Sequence, residues 1–370
     1  MLPPQRMHDA LPQLATPSNT RSSTSPGSQK RSGHVFAAKL FLQLRAMLAL
    51  LLLIAIFACT TDSFLTANNF TILIKQVSIS ALLAIGMTFV IIAGGIDLSV
   101  GSIVGLSGMI AGGLIAQGLH IVGVHYPPVW VVILAAVAVG ALVGVLNGVL
   151  ITRFGIVPFI ATLGTLYIAR GAAMLSSNGS TFPELAGMAS RHNTGFPVLG
   201  QGFLLHIPNP VWITIILSLL AYALLAKTVF GRHVYAIGGN ERAAVLAGIA
   251  VARVKFLTYV ISGVCAAVAG LLIASQLEAA HPATGESFEL TAIAAVVLGG
   301  TSLQGGRGSI LGALLGACVI GVLADGLVMM GVSEFWQMVI QGTVIVLAVA
   351  IDQFQNKFQI NFAFGRAPKE

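Results

Sequence analysis

The sequence predicts an all-α, polytopic membrane protein with about ten transmembrane helices and both termini on the cytoplasmic side. Of its 370 residues, 56% are hydrophobic and only 8% are charged, whereas a soluble domain carries about a quarter charged residues. The mean hydropathy is +0.92, and several apolar runs reach about 18 to 25 residues, enough to cross about 30 Å of hydrocarbon. A chain of this composition could not cover a surface that faces water.

The first 38 residues and the charge pattern limit the other classes. Residues 1–38 are basic and rich in Ser, Thr and Pro, which predicts a disordered cytoplasmic tail. A transit peptide is the alternative, but the prolines and the missing apolar stripe argue against it. The net charge of +7 does not indicate a nucleic-acid partner, because the basic residues are scattered through short loops and tails. The cysteines show neither disulfide nor metal-ligand spacing.

The membrane domain is predicted over residues 39–355, followed by a cytoplasmic tail over 356–370. When ten spans are drawn with the N-terminus inside, the nineteen Lys and Arg residues fall on the cytoplasmic side, except for Lys75, Arg170 and Arg191. This distribution agrees with the positive-inside rule. The predicted spans are 40–60, 72–93, 98–118, 128–151, 157–175, 211–227, 254–276, 289–303, 309–330 and 334–352.

Two segments between spans are too polar to cross the membrane. Residues 176–210 form a predicted external loop, and residues 227–253 form the largest internal one. Within the internal loop, Asn240 is placed to cap a short helix that runs to Leu246, and Gly248 is placed to end it. The helix is either a docking element or an ordinary solvated helix.

A short repeat links the two halves of the chain. "VIIAGGIDLSVGSIVG" (90–105) aligns with "VVLGGTSLQGGRGSILG" (296–312) around a shared GG and a shared GSI. Glycine-interrupted segments at matching positions of two halves are typical of transport pathways, but tight inter-helix turns give the same pattern. We expect Asp97, beside Ser99, to cap the third span; direct contact with a substrate is the alternative. The glycines concerned are Gly94, Gly95, Gly299 and Gly300.

Five motifs in order resemble the permease of ribose-type ABC importers. They are "GGIDLSVGS", "VPFIATLGT", "GRHVYAIGGNERAAVLAGI", "AIAAVVLGGTSLQGGRGSILGALLGA" and "GVSEFWQMVIQGTVIVLAVAID", and the resemblance covers about residues 40–355. Two places in the chain depart from the family: Ser287-Phe288-Glu289-Leu290-Thr291 stands where relatives often have Gly-Tyr-Glu-Leu-Asp, and Asp325 stands where they often have Asn.

The resemblance implies a multi-pass protein of the bacterial inner membrane with no catalytic site or cofactor of its own. A cytoplasmic ATP-binding subunit would hold ATP and Mg, a periplasmic sugar-binding protein would deliver the substrate, and a second permease copy or a related permease would complete the channel. No GxxxxGK[ST] motif is present. The residues matching the family's ATPase-coupling region are Gly238, Gly239, Asn240, Glu241, Arg242, Ala243, Ala244 and Gly248.

Polar residues within the spans are candidates for the path of a monosaccharide or for bonds between helices. They are Ser78, Ser80, Thr88, Ser107, Asn147, Thr162, Thr165 and Gln276. Arg170 is expected to reach the outer surface or to pair with an acid there. Glu278, Glu286 and Glu289, with Glu184 as a further candidate, predict an acidic mouth where the binding protein docks; exposed acids that merely solvate a short loop are the alternative.

The main alternative function is an ion-gradient-driven secondary transporter of a small polar solute. Such a protein places several Asp, Glu or His residues deep within its spans. Here Asp97 and Asp325 lie near span ends, so the sequence favours the ABC permease.

Overall fold

The computed structural model describes residues 46–119, 126–191 and 193–363, with only the backbone described at 348 and 351–363. The chain divides into two units, Met1–Phe41 and Leu42–Glu370, and the described residues all belong to the second. The predicted tail over residues 1–38 and the end of the predicted C-terminal tail, 364–370, lie outside the described residues.

Each of the ten predicted spans contains an apolar helix. Within the described residues these helices are α1 (Ala46–Thr60), α2 (Ala67–Ile92), α3 (Val100–Ala116), α4 (Val129–Thr152), α5 (Pro158–Leu175), α7 (Asn209–Lys227), α10 (Val251–Leu277), α11 (Phe288–Leu298), α12 (Ile310–Met329) and α13 (Glu334–Ala363). In the described loops there are three short α-helices, α6 (Val198–Gln201), α8 (Val229–Gly239) and α9 (Glu241–Leu246), and one turn of 3-10 helix, Ala189–Arg191. The strands β1 (Phe203–Leu204) and β2 (Ile207–Pro208) form an antiparallel hairpin.

Not all of these helices cross a membrane by their own length. Among the described residues, six are long and apolar enough to do so, namely α2, α4, α5, α7, α10 and α12. The span predicted over 289–303 is too long: α11 has only 11 residues, about 16 Å. Its apolar sequence continues into a glycine-rich turn that is not helical, so hydropathy alone overestimates its length.

Helix α10 lies at the centre of the bundle and packs along α4, α2 and α3. Its contact with α4 is close because α4 presents Gly140, Gly144 and Gly148 at four-residue spacing. A Cβ on Gly140 would overlap the Gly263 carbonyl oxygen, and one on Gly144 would overlap the Tyr259 carbonyl oxygen. Small residues at this spacing let two membrane helices approach to backbone contact, and they make α4 and α10 a single packed unit.

The two ends of the bundle differ in what covers them. Residues 176–210 cover the ends of α3 and α10: Phe182 pairs with Ala280 as a β-bridge, and Asn193 Nδ2 donates to the Ile115 carbonyl at 3.0 Å. We call this the loop end. Helices α8 and α9 lie at the opposite end, beside the start of α10, and we call it the α9 end.

Candidate functional site

Helix α9 has a defined start and a defined stop. Asn240 Oδ1 accepts a hydrogen bond from the Ala243 N–H at 3.0 Å, so the predicted N-cap is confirmed. Gly248 has a φ of +78°, and the N–H groups of Gly248 and Ile249 donate to carbonyls of the last turn at 3.0 and 3.1 Å. These two bonds form a Schellman motif, which confirms Gly248 as the residue that ends the helix.

Much of the α9 surface is uncovered. Leu246 is 89% exposed and Val245 57% exposed, and Arg242 is exposed next to them. The Glu241 carboxylate accepts a hydrogen bond from the Lys255 ammonium at 2.7 Å. Glu241 therefore holds α9 against the start of α10, while the apolar pair and Arg242 are available to a partner.

Helices α2 and α11 end in the same backbone conformation, each before a turn. The first turn, residues 93–99, joins α2 to α3, and the second turn, residues 299–309, joins α11 to α12. Gly94 and Gly300 have φ values of +81° and +85°, and each donates to the carbonyl three residues back at 2.9 Å. In the structure Gly94 therefore corresponds to Gly300, and Gly95 to Thr301. The sequence alignment, which paired Gly94 with Gly299, is shifted from this correspondence by one residue.

Helix α8 is in contact at Gly238 with the last residue of α2 and with the second turn. A Cβ at this position would overlap the Ile92 carbonyl oxygen and the Gly306 nitrogen, and these two groups are themselves hydrogen bonded at 2.9 Å. Gly239, by contrast, has open space around its Cβ position among the described residues. One turn before Gly238, the Tyr235 hydroxyl donates to the Gly308 carbonyl at 2.8 Å. We call the contact of Gly238 with Ile92 and Gly306 the glycine junction.

Asp97 is buried in the first turn, with an exposed fraction of 0%. Its Oδ1 accepts hydrogen bonds from the Ser99 N–H at 3.0 Å and the Ser99 hydroxyl at 2.6 Å, and its Oδ2 accepts one from the Ser262 hydroxyl of α10 at 2.7 Å. The predicted cap is wrong: Ser99 is the N-cap residue of α3, and Asp97 accepts its hydrogen bonds from Ser99 and from Ser262 of α10, not from an N–H group within α3.

The same network continues into α4 and α5. The Asn147 Nδ2 group donates to the Ser99 hydroxyl at 2.9 Å, and Asn147 Oδ1 accepts from the Thr165 hydroxyl at 2.6 Å. The Thr162 hydroxyl contacts the Ile96 carbonyl at 3.3 Å. Both ends of the Asn147 amide are therefore used inside the protein, which favours a bond between helices at this position; that Asn147 or Thr162 lines a path stays a prediction.

The other polar residues of the spans differ in their partners. The hydroxyls of Ser78 and Thr88 donate to carbonyls of their own helix at 2.6 Å each, and the Ser107 hydroxyl lies 3.3 Å from the Ala267 carbonyl oxygen of α10. The Gln276 Nε2 group is buried without a hydrogen-bond partner in the described part of the chain. Their role in a path remains untested.

The predicted acidic mouth is divided between two levels of the bundle. Glu278 ends α10 and accepts a hydrogen bond from Gln201 Nε2 at 2.9 Å, while Glu184 and Glu286 are exposed. Glu289 is half-buried, and a Cβ on Gly101 of α3 would overlap its carboxylate. Three of the acids thus lie in the connections, and Glu289 lies against the side of α3.

Sequence reasoning missed Tyr235 and Ser262, which join elements far apart in the chain. For Tyr235 the available signal was its position three residues before Gly238, on the same helix face. For Ser262 there was none, because its partner, Asp97, precedes it by 165 residues. Among the described residues, no group of three or more His, Cys, Asp or Glu side chains is arranged to hold a metal ion.

Comparison with known proteins gives one family and a set of close relatives. The family model described as "Branched-chain amino acid transport system / permease component" matches residues 69–349. The ribose import permease protein RbsC of Bacillus subtilis is 45% identical over 311 residues, which cover 84% of this chain and 92% of that protein. RbsC of Escherichia coli K12 is 41% identical over 88% of this chain and 98% of that protein.

A third relative differs in the sugar that its name gives. The xylose transport system permease protein XylH of Haemophilus influenzae is 36% identical, over 84% of this chain and 96% of that protein. No solved structure matches the chain significantly.

Proposed function

The chain belongs to the family of branched-chain amino acid transport system permease components, and on that premise we propose that it is the membrane-spanning permease subunit of an ATP-driven sugar importer. The relatives named above import ribose or transport xylose. The substrate that fits is a monosaccharide, either a ribose-like pentose, a hexose or a related polyol, taken into the cytoplasm across a bacterial inner membrane.

In this proposal a separate cytoplasmic subunit hydrolyses ATP, with its Mg, and binds α9. The observation that carries it is the geometry of α9: a helix with both ends fixed by hydrogen bonds, whose Leu246 is 89% exposed. An apolar side chain displayed in this way is suited to a groove on a partner, and Arg242 beside it can set the orientation. The Glu241–Lys255 ion pair keeps α9 in register with α10.

The remaining partners follow from the two ends of the bundle. A periplasmic sugar-binding protein would dock at the loop end, where Glu278 lies beside the segment that carries Glu184. Charges at such a rim act mainly on orientation and on the rate of association. A second copy of this chain, or a related permease, would complete the channel.

Reconstituted uptake tests the function. Proteoliposomes that contain the chain with its ATP-binding subunit and binding protein should accumulate radiolabelled ribose, or another pentose or hexose, only when ATP is supplied. Omission of either partner, or a non-hydrolysable ATP analogue, should stop uptake. Uptake by this chain alone under a proton or sodium gradient would contradict the proposal and support the secondary transporter.

Docking through α9 has its own test. Leu246→Asp places a charge in the proposed contact and should reduce co-purification of the ATP-binding subunit at least tenfold. Ala250→Asp is the matched control, since it adds the same charge to an exposed residue beyond α9. Equal binding of the ATP-binding subunit by both variants would contradict docking through Leu246.

A further inference from the structure

A cluster of charged residues lies on one face of α3, well inside the bundle. Arg170 Nη1 donates to the Pro282 carbonyl at 2.6 Å and to the Thr284 carbonyl at 2.9 Å. The same nitrogen would be 2.8 Å from a Cβ on Gly105, and the Glu289 carboxylate would overlap a Cβ on Gly101. Gly101 and Gly105 are one helical turn apart, so the guanidinium and the carboxylate occupy neighbouring places on this glycine face.

The depth of the cluster follows from α10, which runs beside α3. Gly270 of α10 lies against the Val104 carbonyl of α3, so the two residues are at the same level. Gly270 is about 10 Å before Leu277, the last residue of α10. Gly101, three residues before Val104 on α3, is about 5 Å farther from that end. Helix α10 has 27 residues, which gives a length of about 40 Å. The hydrocarbon core of a membrane is about 30 Å thick, so each end of α10 can extend about 5 Å beyond it. Gly101 and the Glu289 carboxylate are therefore about 10 Å inside the membrane at the loop end.

The chain reaches this depth because the connection between α10 and α11 descends into the bundle. Gly285 lies against the Gly101 carbonyl, with a φ of +79°. Helix α11 starts at Phe288, at the level of the cluster, and its 11 residues run only to the second turn. Irregular backbone at membrane depth occurs where protein covers it or where it lines a water-filled cavity.

The charges of this cluster are not fully covered by the chain itself. Arg170 and Glu289 are half-buried, and Glu286 is exposed. The Nη2 and Nε groups of Arg170 have no hydrogen-bond partner among the described residues. Ionised groups are unfavourable where they face lipid at this depth, and in membrane proteins they face a bundle interior or an aqueous cavity.

We propose that Arg170, Glu286 and Glu289 line the water-filled outer half of the translocation path, and that Arg170 and Glu289 hydrogen bond with the hydroxyls of the sugar in transit. The guanidinium donates and the carboxylate accepts, which suits neighbouring hydroxyls of a neutral monosaccharide. Arg170 also positions the descending connection, since one of its nitrogens already holds two backbone carbonyls of that segment. This inference rests on the proposed function and identifies the face of the chain that meets the substrate.

Cysteine accessibility tests the aqueous face without requiring transport. In the complete transporter in lipid, with the native cysteines replaced, Glu286→Cys should react with a charged, membrane-impermeant methanethiosulfonate at least tenfold faster than Ile216→Cys. Ile216 is the matched control, because it is 55% exposed and lies about 10 Å along α7 from the loop end. Equally slow reaction at both positions would overturn the proposal. It would mean that lipid or a second permease copy covers Glu286.

Coupling stoichiometry tests the contact with sugar. Glu289→Gln should lower the amount of sugar imported per ATP hydrolysed severalfold while the binding protein still stimulates ATP hydrolysis. Glu334→Gln, which changes an exposed acid at the start of α13, should leave the ratio unchanged. A wild-type ratio in Glu289→Gln would overturn this inference alone, whereas failure of the wild-type transporter to import sugar with ATP would overturn the proposed function.

Discussion

The first and second turns begin with the same helix ending but are held in different ways. In the first turn, Asp97 and Ser99 are fully buried and bond to side chains of α10 and α4. In the second turn, the positive-φ glycines Gly300, Gly305, Gly306 and Gly308 set the path of the chain, and Ser302, whose hydroxyl accepts the Gln304 N–H at 3.3 Å, bonds within the turn. Side chains from several helices secure one turn, and glycine backbone shapes the other.

This difference indicates which turn can change shape during transport. A fully bonded polar network is rigid because each change breaks several hydrogen bonds at once. Glycines with positive φ have more accessible conformations than other residues. We expect the first turn to remain fixed to α4 and α10, and the second turn to follow α8 when the docking helix moves.

The largest effect should come from removing the carboxylate that secures the first turn. Asp97→Ala leaves the Ser99 and Ser262 donors without their acceptor in a buried place and should cost about 3 kcal/mol or more of stability. The measurement is the Tm of the purified protein in detergent. Asp97→Asn, which keeps an acceptor oxygen, should lose less than half as much, and equal Tm values for Asp97→Ala and wild type would contradict a rigid first turn.

The next effect should come from the glycine junction. Gly238→Ala places a methyl group against the Ile92 carbonyl and the Gly306 nitrogen, so we expect at least a tenfold loss of ATP-driven uptake. Gly239→Ala, with open space at its Cβ among the described residues, should transport normally. Normal uptake by both variants would show that α8 does not need this close approach.

A smaller effect is expected from the hydroxyl that joins α8 to the second turn. Tyr235→Phe removes the hydrogen bond to the Gly308 carbonyl, worth about 1 kcal/mol, and keeps the ring. ATP hydrolysis should persist while sugar uptake per ATP falls a few-fold, measured with both partners present. An unchanged ratio would mean that this bond does not contribute to coupling.

The smallest effect is expected at Ser302, which lies in the second turn. Ser302 is buried, but Ser302→Ala removes only one long hydrogen bond to a backbone N–H inside the turn, so the stability should fall by about 0.5 kcal/mol, the low end for a single hydrogen bond. The measurement is the Tm of Ser302→Ala compared with the Tm of Asp97→Ala in the same detergent. A loss at Ser302 as large as that at Asp97 would show that the two turns are held alike.

Local sequence signals predicted much of the fold. The apolar runs located ten helices, and Asn240 and Gly248 marked the ends of α9. The length of α11 could not be predicted, because hydropathy does not show that the connection before Phe288 descends into the bundle. The bonds of Asp97 and Asn147 to other helices depend on tertiary packing, which a single sequence does not reveal.

The glycine junction has a consequence for how displacement passes between chains. Side chains that touch can change rotamer and so absorb a small shift, but Gly238, Ile92 and Gly306 meet through backbone atoms alone. No side-chain torsion at that contact can take up the shift, and only the glycine backbone of the second turn can yield. A sub-ångström stroke delivered to α9 would therefore reach the end of α2 and the second turn together, and the second turn would be the part that moves.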